Sequence, residues 1–175
     1  MKYAIICSSR TGNTRRLAEY LEKGLKERGS KTAGECLYFG GPGEDAKKAA
    51  READVLFVGF WTDKGTCDEE TGAFLRSLHG QKVFLFGTAG FGESREYFSR
   101  ILARVSECLD GTNDCIGSYM CQGRMPEAVR RRYESMMEKE PERMAMLIRN
   151  FDNALSHPDE KDLEGLLEAA LIIWG

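Results

Sequence analysis

The stretch SRTGNT, residues 9–14, lies where the first apolar segment of the chain gives way to the first amphipathic one. The five residues 3–7 before it (YAIIC) are largely apolar and predict a short buried strand. After it, leucines recur every fourth residue at Leu17, Leu21 and Leu25, which is typical of a helix that buries one face. The stretch is therefore a strand-to-helix turn, and the arrangement predicts an α/β fold.

The composition of this turn indicates a binding site for phosphate. The start of a helix leaves backbone N–H groups unpaired and carries partial positive charge, so it favours an anion. Helix capping alone explains one or two polar residues, whereas this turn has more in six positions. A purely structural role remains the alternative. The predicted phosphate loop consists of Ser9, Arg10, Thr11, Gly12, Asn13 and Thr14.

Other phosphate loops fit the sequence less well. No G-x-x-x-x-G-K-[ST] motif occurs, and no G-x-G-x-x-G follows the first strand. Low-molecular-weight tyrosine phosphatases and some arsenate reductases also carry a loop here, opening with a nucleophilic Cys and closing with an Arg six residues later. Cys7 matches the first position, but the sixth residue after it is Asn13, so the guanidinium is missing.

Residues 9–14 match the pattern [ST]-x-T-G-x-T and resemble the FMN-phosphate loop of flavodoxins, at the place where that family carries it. The resemblance extends along essentially the whole chain. It implies a doubly wound five-stranded parallel sheet with strand order 2-1-3-4-5 and FMN as the cofactor. We expect one flavodoxin-like domain over residues 1–175, of a bacterial branch with extended C-terminal helices, and with an added helical segment at about 127–155.

Length and composition agree with one globular domain. The chain has 175 residues, of which 42% are hydrophobic and 10% aromatic. Its apolar runs are far shorter than the roughly 20 residues of a membrane helix, so we expect a soluble, cytoplasmic protein. The net charge of −3 argues against nucleic-acid binding, and the basic run 130–132 reads as a solvated helix face.

The cysteines give no metal-binding pattern. Six cysteines occur without a C-x-x-C pair, and only two histidines are present, so no metal site is predicted. In a reducing cytosol most of the cysteines would be small buried side chains. Cys67 is the exception, because it falls in a loop that we place at the cofactor and could be reactive.

Further strands and helices follow from the apolar pattern. Runs at 31–38, 55–60, 82–86 and 114–121 predict strands, the second and third of them buried on both faces. Helices are expected at 44–53, 69–78, 94–109, 127–138, 142–155 and 160–173. Right-handed crossovers then bring the exits of parallel strands to one edge of the sheet, where ligands bind in such folds.

Two of those exits carry aromatic residues suited to a flat ring. Trp61 follows the third strand and Phe91 follows the fourth, and we expect them to flank the isoalloxazine by stacking. Packing of each ring beneath its own loop is the alternative. The expected ring-binding residues are Trp61, Thr62, Asp63, Lys64, Gly65, Thr88, Ala89, Gly90, Phe91 and Gly92.

The resemblance to flavodoxins also suggests roles for these residues. The segment 61–66 resembles the ring-facing loop of the family, in which Gly65 would ease a peptide rearrangement. A cation at Lys64 would favour the negatively charged reduced flavin, or would only face water. The second loop, 88–92, would offer N–H groups to the pyrimidine edge of the ring.

The sequence contains no residue that is recognisable as a general base or nucleophile for turnover. The resemblance therefore implies an electron-transfer flavoprotein that takes electrons from a reductase and delivers them to a partner enzyme, as a monomer or weak homodimer. Two alternatives stay open. One is an NAD(P)H-dependent FMN quinone or nitro reductase of the same fold, and the other is a binding module that has lost the flavin.

Overall fold

Strands and helices alternate along the computed structural model, which describes residues 1–28, 34–92 and 94–174. The strands are β1 (Lys2–Cys7), β2 (Glu35–Gly40), β3 (Val55–Asp63), β4 (Thr66–Cys67), β5 (Lys82–Ala89) and β6 (Asp114–Gln122). The helices are α1 (Asn13–Arg28), α2 (Glu44–Glu52), α3 (Glu69–Arg76), α4 (Arg95–Ser106), α5 (Glu127–Ser135), α6 (Pro141–Ala154) and α7 (Glu160–Trp174).

The main sheet is parallel and has the order β2-β1-β3-β5-β6. Because the short β4 lies off this path, the order equals 2-1-3-4-5 for the parallel strands, and the predicted doubly wound topology is confirmed. The order in which successive strands are added to the sheet reverses at β1, which lies between β2 and β3. In such folds the crevice at this reversal, outside the carboxyl ends of the strands, is where ligands bind.

The two central strands are apolar on both faces because helices cover both sides of the sheet. Tyr3, Ile5 and Phe57 pack on one side with α1 and α7. Ala4 and Ile6 point to the other side, which α2, α3 and α4 cover. The alternation of side chains along a strand therefore divides these apolar runs between two cores, as expected for a parallel sheet.

Several elements differ from the predicted bounds near the carboxyl edge. The third strand continues three residues past Phe60, and β5 continues to Ala89, so parts of two expected loops are strand. The second strand begins at Glu35 and ends at Gly40; predicted positions 31–33 lie outside the described residues. The added strand β4 pairs antiparallel with β3 and was not predicted.

The helices from α5 onward are attached to the sheet to different extents. Helix α7 packs on α1 and β6 and contributes Leu163, Leu166 and Leu167 to the core. Helix α6 buries Met144 and Phe151. Helix α5 buries no side chain and packs on α6. None of the described helices combines the length and the apolar character needed to cross a membrane.

Candidate functional site

A cavity of about 610 Å³ lies at the carboxyl edge of the sheet, above β1, β3 and β5. It is lined both by residues of the predicted phosphate loop and by residues predicted to bind the flavin ring. The predicted site residues that line it are Ser9, Arg10, Thr11, Asn13, Thr14, Trp61, Thr62, Thr88, Ala89 and Gly90. Those outside the lining are Gly12, Asp63, Lys64, Gly65, Phe91 and Gly92.

The predicted phosphate loop is shaped by the hydroxyl of Ser9. This hydroxyl oxygen accepts hydrogen bonds from the N–H groups of Gly12 and Arg15, each at 3.2 Å. Gly12 has a φ of 95°, a left-handed conformation that a glycine adopts without steric cost. Within the described residues, the N–H groups of Asn13 and Thr14 have no protein acceptor. The first turn of α1 therefore presents free donors, as an anion site requires.

Three threonines that line the cavity are bonded to one another or to the backbone. The Thr14 hydroxyl donates to the carbonyl oxygen of Phe60 (3.0 Å), so Thr88 must donate in the 3.0 Å contact between the Thr14 and Thr88 hydroxyls. The Thr62 hydroxyl in turn donates to the carbonyl oxygen of Thr88 (2.8 Å). The hydroxyl protons of all three threonines are therefore used in hydrogen bonds within the cavity wall. These threonines hold α1, β3 and β5 together, and the hydroxyl protons left for a phosphate are those of Ser9 and Thr11.

Trp61 and Arg10 form the part of the wall suited to an aromatic ligand. The guanidinium carbon of Arg10 lies 5.4 Å from the centroid of the Trp61 ring, a cation–π contact. Trp61 is half-buried at the carboxyl end of β3 and lines the cavity. The wall thus offers one large aromatic side chain with a positive charge over one face of its ring.

Lys64 lies outside the cavity lining, at the tip of the hairpin formed by β3 and β4. Lys64 and Gly65 are the two central residues of the β3–β4 hairpin, and both have positive φ (49° and 81°), as in a tight type I′ turn. Arg104 of α4 donates a hydrogen bond to the carbonyl oxygen of Gly65 (3.4 Å). Lys64 is exposed and does not line the cavity. The cation beside Trp61 is therefore Arg10.

The loop after β5 directs its aromatic residue away from the cavity. Phe91 meets the ring of Tyr97 edge to face, with 6.1 Å between centroids. The carbonyl oxygen of Gly90 accepts hydrogen bonds from the side-chain amides of Gln122 (2.9 Å) and Asn150 (3.0 Å). Asn150 is buried on α6. This helix, which belongs to the added helical segment, thus fixes the loop beside the cavity.

A region not assigned to the site from the sequence completes the cavity. The exit of β6 lies at the same edge as the other strand ends, and the Asn13 side chain donates to the carbonyl oxygen of Arg124 (2.8 Å). Sheet topology could have indicated Gly123 and Arg124 from the sequence, because it places the exit of every parallel strand at one edge of the sheet. The added lining residues are Gly123, Arg124, Met125, Pro126, Ala128, Val129 and Arg132.

The arginine run 130–132 has divided roles, which corrects its interpretation as a purely solvated face. Arg130 forms ion pairs with Glu134 (3.0 Å) and with Asp152 of α6 (3.3 Å). Arg132 lines the cavity. Arg131 is exposed outside the lining. The charge of this helix is therefore turned partly toward the ligand site.

A helix cap at the start of α7 brings three potential metal ligands together. One ligand atom each of His157, Asp159 and Asp162 lies within 4.8 Å of the others. Asp162 pairs with His157 (2.6 Å) and accepts from the N–H of Asp159 (2.8 Å), while Asp159 accepts from the N–H of Asp162 (3.0 Å). These bonds account for the grouping as a capping arrangement. In the same loop, the carbonyl oxygen of His157 accepts a hydrogen bond from the backbone N–H of Arg124 (2.9 Å).

The cysteines near the site are protonated thiols. Burial raises the pKa of Cys7 to about 12, and Arg15 lowers it only partly. Burial likewise raises the pKa of Cys67 to about 12, and Cys67 is buried outside the cavity lining. A thiol nucleophile needs the opposite shift. The alternative of thiol-based phosphate chemistry therefore loses its nucleophile as well as its arginine.

The raised pKa of Cys7 predicts a loss of stability in alkali. From the ordinary value of 9.0 up to about pH 12, the folded chain keeps the Cys7 proton while the unfolded chain loses it. The unfolded state then binds fewer protons, so the free energy of unfolding should fall by about 1.4 kcal/mol per pH unit for this thiol. Urea unfolding of the wild type and Cys7→Ala between pH 8 and 10.5 measures it. We expect a shallower decline for the variant; parallel curves would contradict the assignment.

Comparison with known proteins gives matches over nearly all of the chain. Residues 4–170 match a family model described as a flavodoxin domain. A flavodoxin-like domain-containing protein BilS of Clostridium symbiosum (strain WAL-14163) is 42% identical over 175 residues, spanning 93% of this chain and 90% of that protein. A protein of the same description from Clostridioides difficile (strain CD3) is 31% identical over 166 residues, with the same coverage.

Solved structures show the same fold at low sequence identity. Oxidised flavodoxin 1 from Bacillus cereus superposes with a TM-score of 0.54 at 14% identity, over 99% of this chain and 97% of that one. A flavodoxin from the domain Archaea gives a TM-score of 0.53 at 17% identity, over 99% and 96% of the two chains. These likenesses support the sheet order and the placement of helices on both faces.

Proposed function

Because this chain belongs to the flavodoxin family, we propose that it is an electron carrier that accepts electrons from a reductase and passes them to a partner enzyme. Membership of the family makes it an FMN-binding flavoprotein. When bound, FMN supplies reversible one- and two-electron transfer. The residues of the chain hold the cofactor, shield it and set its electrostatic surroundings.

The residues around the cavity fit FMN. Free N–H groups of Asn13 and Thr14, and the hydroxyl protons of Ser9 and Thr11, suit the phosphate. The ring of Trp61 suits the isoalloxazine. The lining also provides cations without acidic side chains, which suits a ligand that carries about two negative charges on its phosphate.

One observation carries the proposal that the chemistry at this site belongs to a bound cofactor and not to the side chains. Among the described residues, the cavity lining contains no Asp, Glu, His, Cys or Lys. Its charged side chains are arginines, which do not exchange protons near neutral pH. The lining therefore offers no general base or general acid, and no base that would activate the hydroxyls of Ser9 and Thr11 as nucleophiles, so the chemistry at this site belongs to the cofactor.

Reconstitution tests the proposal. The purified protein is mixed with FMN, desalted, and examined by visible absorption before and after reductive titration with dithionite. We expect retained flavin, slow or undetectable oxidation of NADPH or NADH by the protein alone, and fast reduction once a flavoprotein reductase is added. Failure to retain flavin would refute the proposal. Rapid oxidation of NAD(P)H by the pure protein would instead favour the quinone or nitro reductase alternative.

Replacement of Trp61 should weaken FMN binding, whereas replacement of Phe91 should not. Stacking of a flat ring on an aromatic side chain contributes about 1–3 kcal/mol, so Trp61→Ala should lower the affinity roughly 5- to 150-fold. Phe91 packs against Tyr97, so Phe91→Ala should leave the affinity within about twofold. Quenching of FMN fluorescence gives both dissociation constants. A large loss for Phe91→Ala would restore Phe91 as a ring contact.

A further inference from the structure

The face of α5 that meets the cavity is made of small apolar side chains and one arginine. Ala128, Val129 and Arg132 line the cavity, and their i, i+1, i+4 spacing places them on one side of the helix. Ala128 and Arg132 are exposed and Val129 is half-buried. This face therefore looks into space that a ligand could fill.

The attachments of α5 leave this face uncovered by protein. Arg130 ties the helix to α6 through Asp152 (3.3 Å). The segment before α5 is fixed by Arg124, whose carbonyl oxygen accepts from Asn13 and whose N–H donates to His157. The helix itself buries no side chain. It is thus held at its start and along its outer side, with the cavity beneath it.

The charge of the side chains that line the cavity is unbalanced. Within the described part of the chain, Arg10, Arg124 and Arg132 form no ion pair with a carboxylate, although all three line the same cavity. By contrast, the neighbouring Arg130 has two acidic partners. An unpaired guanidinium beside a cavity is suited to bind an anionic group of a ligand.

The expected second aromatic wall is also missing from the cavity. Phe91 packs on Tyr97 instead, and the rest of the cavity wall comes from the segment after β6 and from α5. Met125, Pro126 and Val129 give that part of the wall an apolar surface. A flat apolar ring bound on Trp61 needs such a surface to exclude water from its other face.

We propose that α5 is a clamp on the cofactor, in which Ala128 and Val129 cover the bound flavin and Arg132 binds one of its anionic groups. The inference rests on FMN binding by the site and deepens it by assigning cofactor contacts to the added helical segment. The anionic group is either the phosphate or the pyrimidine edge of the ring, which becomes negatively charged on reduction. Binding buries the inner face of α5, so the helix becomes more stable when FMN is present.

Arg132→Gln tests the clamp, and Arg131→Gln is its matched control. Both variants remove one charge from neighbouring exposed positions of the same helix, but only Arg132 lines the cavity. We expect Arg132→Gln to weaken FMN binding about tenfold or more at low salt and Arg131→Gln to change it less than twofold. Riboflavin identifies the group: a loss confined to FMN places Arg132 at the phosphate, and an equal loss for riboflavin places it at the ring.

Hydrogen exchange gives a second readout that does not depend on charge. We expect added FMN to slow amide exchange in residues 127–135 at least tenfold in the wild type and in Arg131→Gln. Val129→Ser should weaken FMN and riboflavin alike, because it makes the covering surface polar. Circular dichroism checks that the variants are folded.

The outcomes separate this inference from the proposed function. If the wild type binds FMN but Arg132→Gln binds both oxidised and dithionite-reduced FMN as tightly as Arg131→Gln does, the clamp is wrong and the carrier function stands. Unchanged exchange of α5 on FMN binding would overturn the clamp in the same way. If the wild type does not bind FMN, the proposed function falls and the clamp falls with it.

Discussion

Riboflavin, which lacks the phosphate, is expected to bind at least a hundredfold more weakly than FMN. The phosphate would receive hydrogen bonds from the free N–H groups of Asn13 and Thr14 at the positive end of α1. A hydrogen bond to a charged group contributes about 1.5–3 kcal/mol, so two of them give roughly 3–6 kcal/mol. Because each 1.4 kcal/mol is a factor of ten, even the lower end of this range gives a hundredfold difference.

Parallel titrations with FMN and riboflavin measure this difference. The affinity for FMN should also fall as sodium chloride is raised from 50 to 500 mM, whereas that for riboflavin should change little, since the phosphate interaction is screened. Ser9→Ala provides a matched variant, because it removes the hydroxyl oxygen that accepts hydrogen bonds from the N–H groups of Gly12 and Arg15. The ratio between the affinities for FMN and riboflavin should be smaller in this variant. Affinities within tenfold of each other would show that residues 9–14 do not bind the phosphate.

Phe57→Ala is expected to lower the free energy of unfolding by about 3–5 kcal/mol. Phe57 is fully buried in the central strand β3, where it meets Tyr3 edge to face (6.2 Å between centroids) and Phe84 at a tilt (5.6 Å). Strands and helices surround it, so the cavity left by the substitution has little room to collapse. Against a total stability of 5–15 kcal/mol, this loss is a large fraction.

Urea unfolding with an unchanged m value measures the effect of Phe57→Ala. Ile172→Ala is the control, because Ile172 is 82% exposed on α7 and its removal should change the stability by less than about 0.5 kcal/mol. A loss below about 1.5 kcal/mol for Phe57→Ala would mean that the core around β3 repacks, which contradicts its tight enclosure between two layers of helices.

The sheet was predictable because its strands are read directly from the apolar runs. Neighbouring residues such as Phe57 and Val58 are both buried although they point to opposite faces, so the central strands form uninterrupted apolar segments. The ends of these strands were less predictable. Trp61 and Thr88 lie in the sheet although the sequence reads as loop there, because pairing with neighbouring strands continues past the apolar run.

The turn at residues 9–14 and its place in the cavity lining were predictable from local signals, and the positions of the residues expected to bind the ring were predictable only in part. Trp61 lines the cavity, but the direction of Phe91 is set by its contact with Tyr97, a residue of the next helix. Lys64 has a left-handed backbone conformation, which is uncommon for residues other than glycine. The hairpin tip was therefore not expected from the sequence. The contribution of Arg132 depends on how α5 rests on α6, which no local pattern specifies.

The position of α5 also bears on how this protein can diversify. Residues buried in the sheet are constrained by many neighbours, so a change at one of them disturbs the fold. Helix α5 buries no side chain, yet three of its residues line the ligand cavity. Mutations there can alter what the cavity accepts at little cost in stability, which makes this helix the part of the chain where new ligand preferences can evolve and where an engineer should place a randomised library.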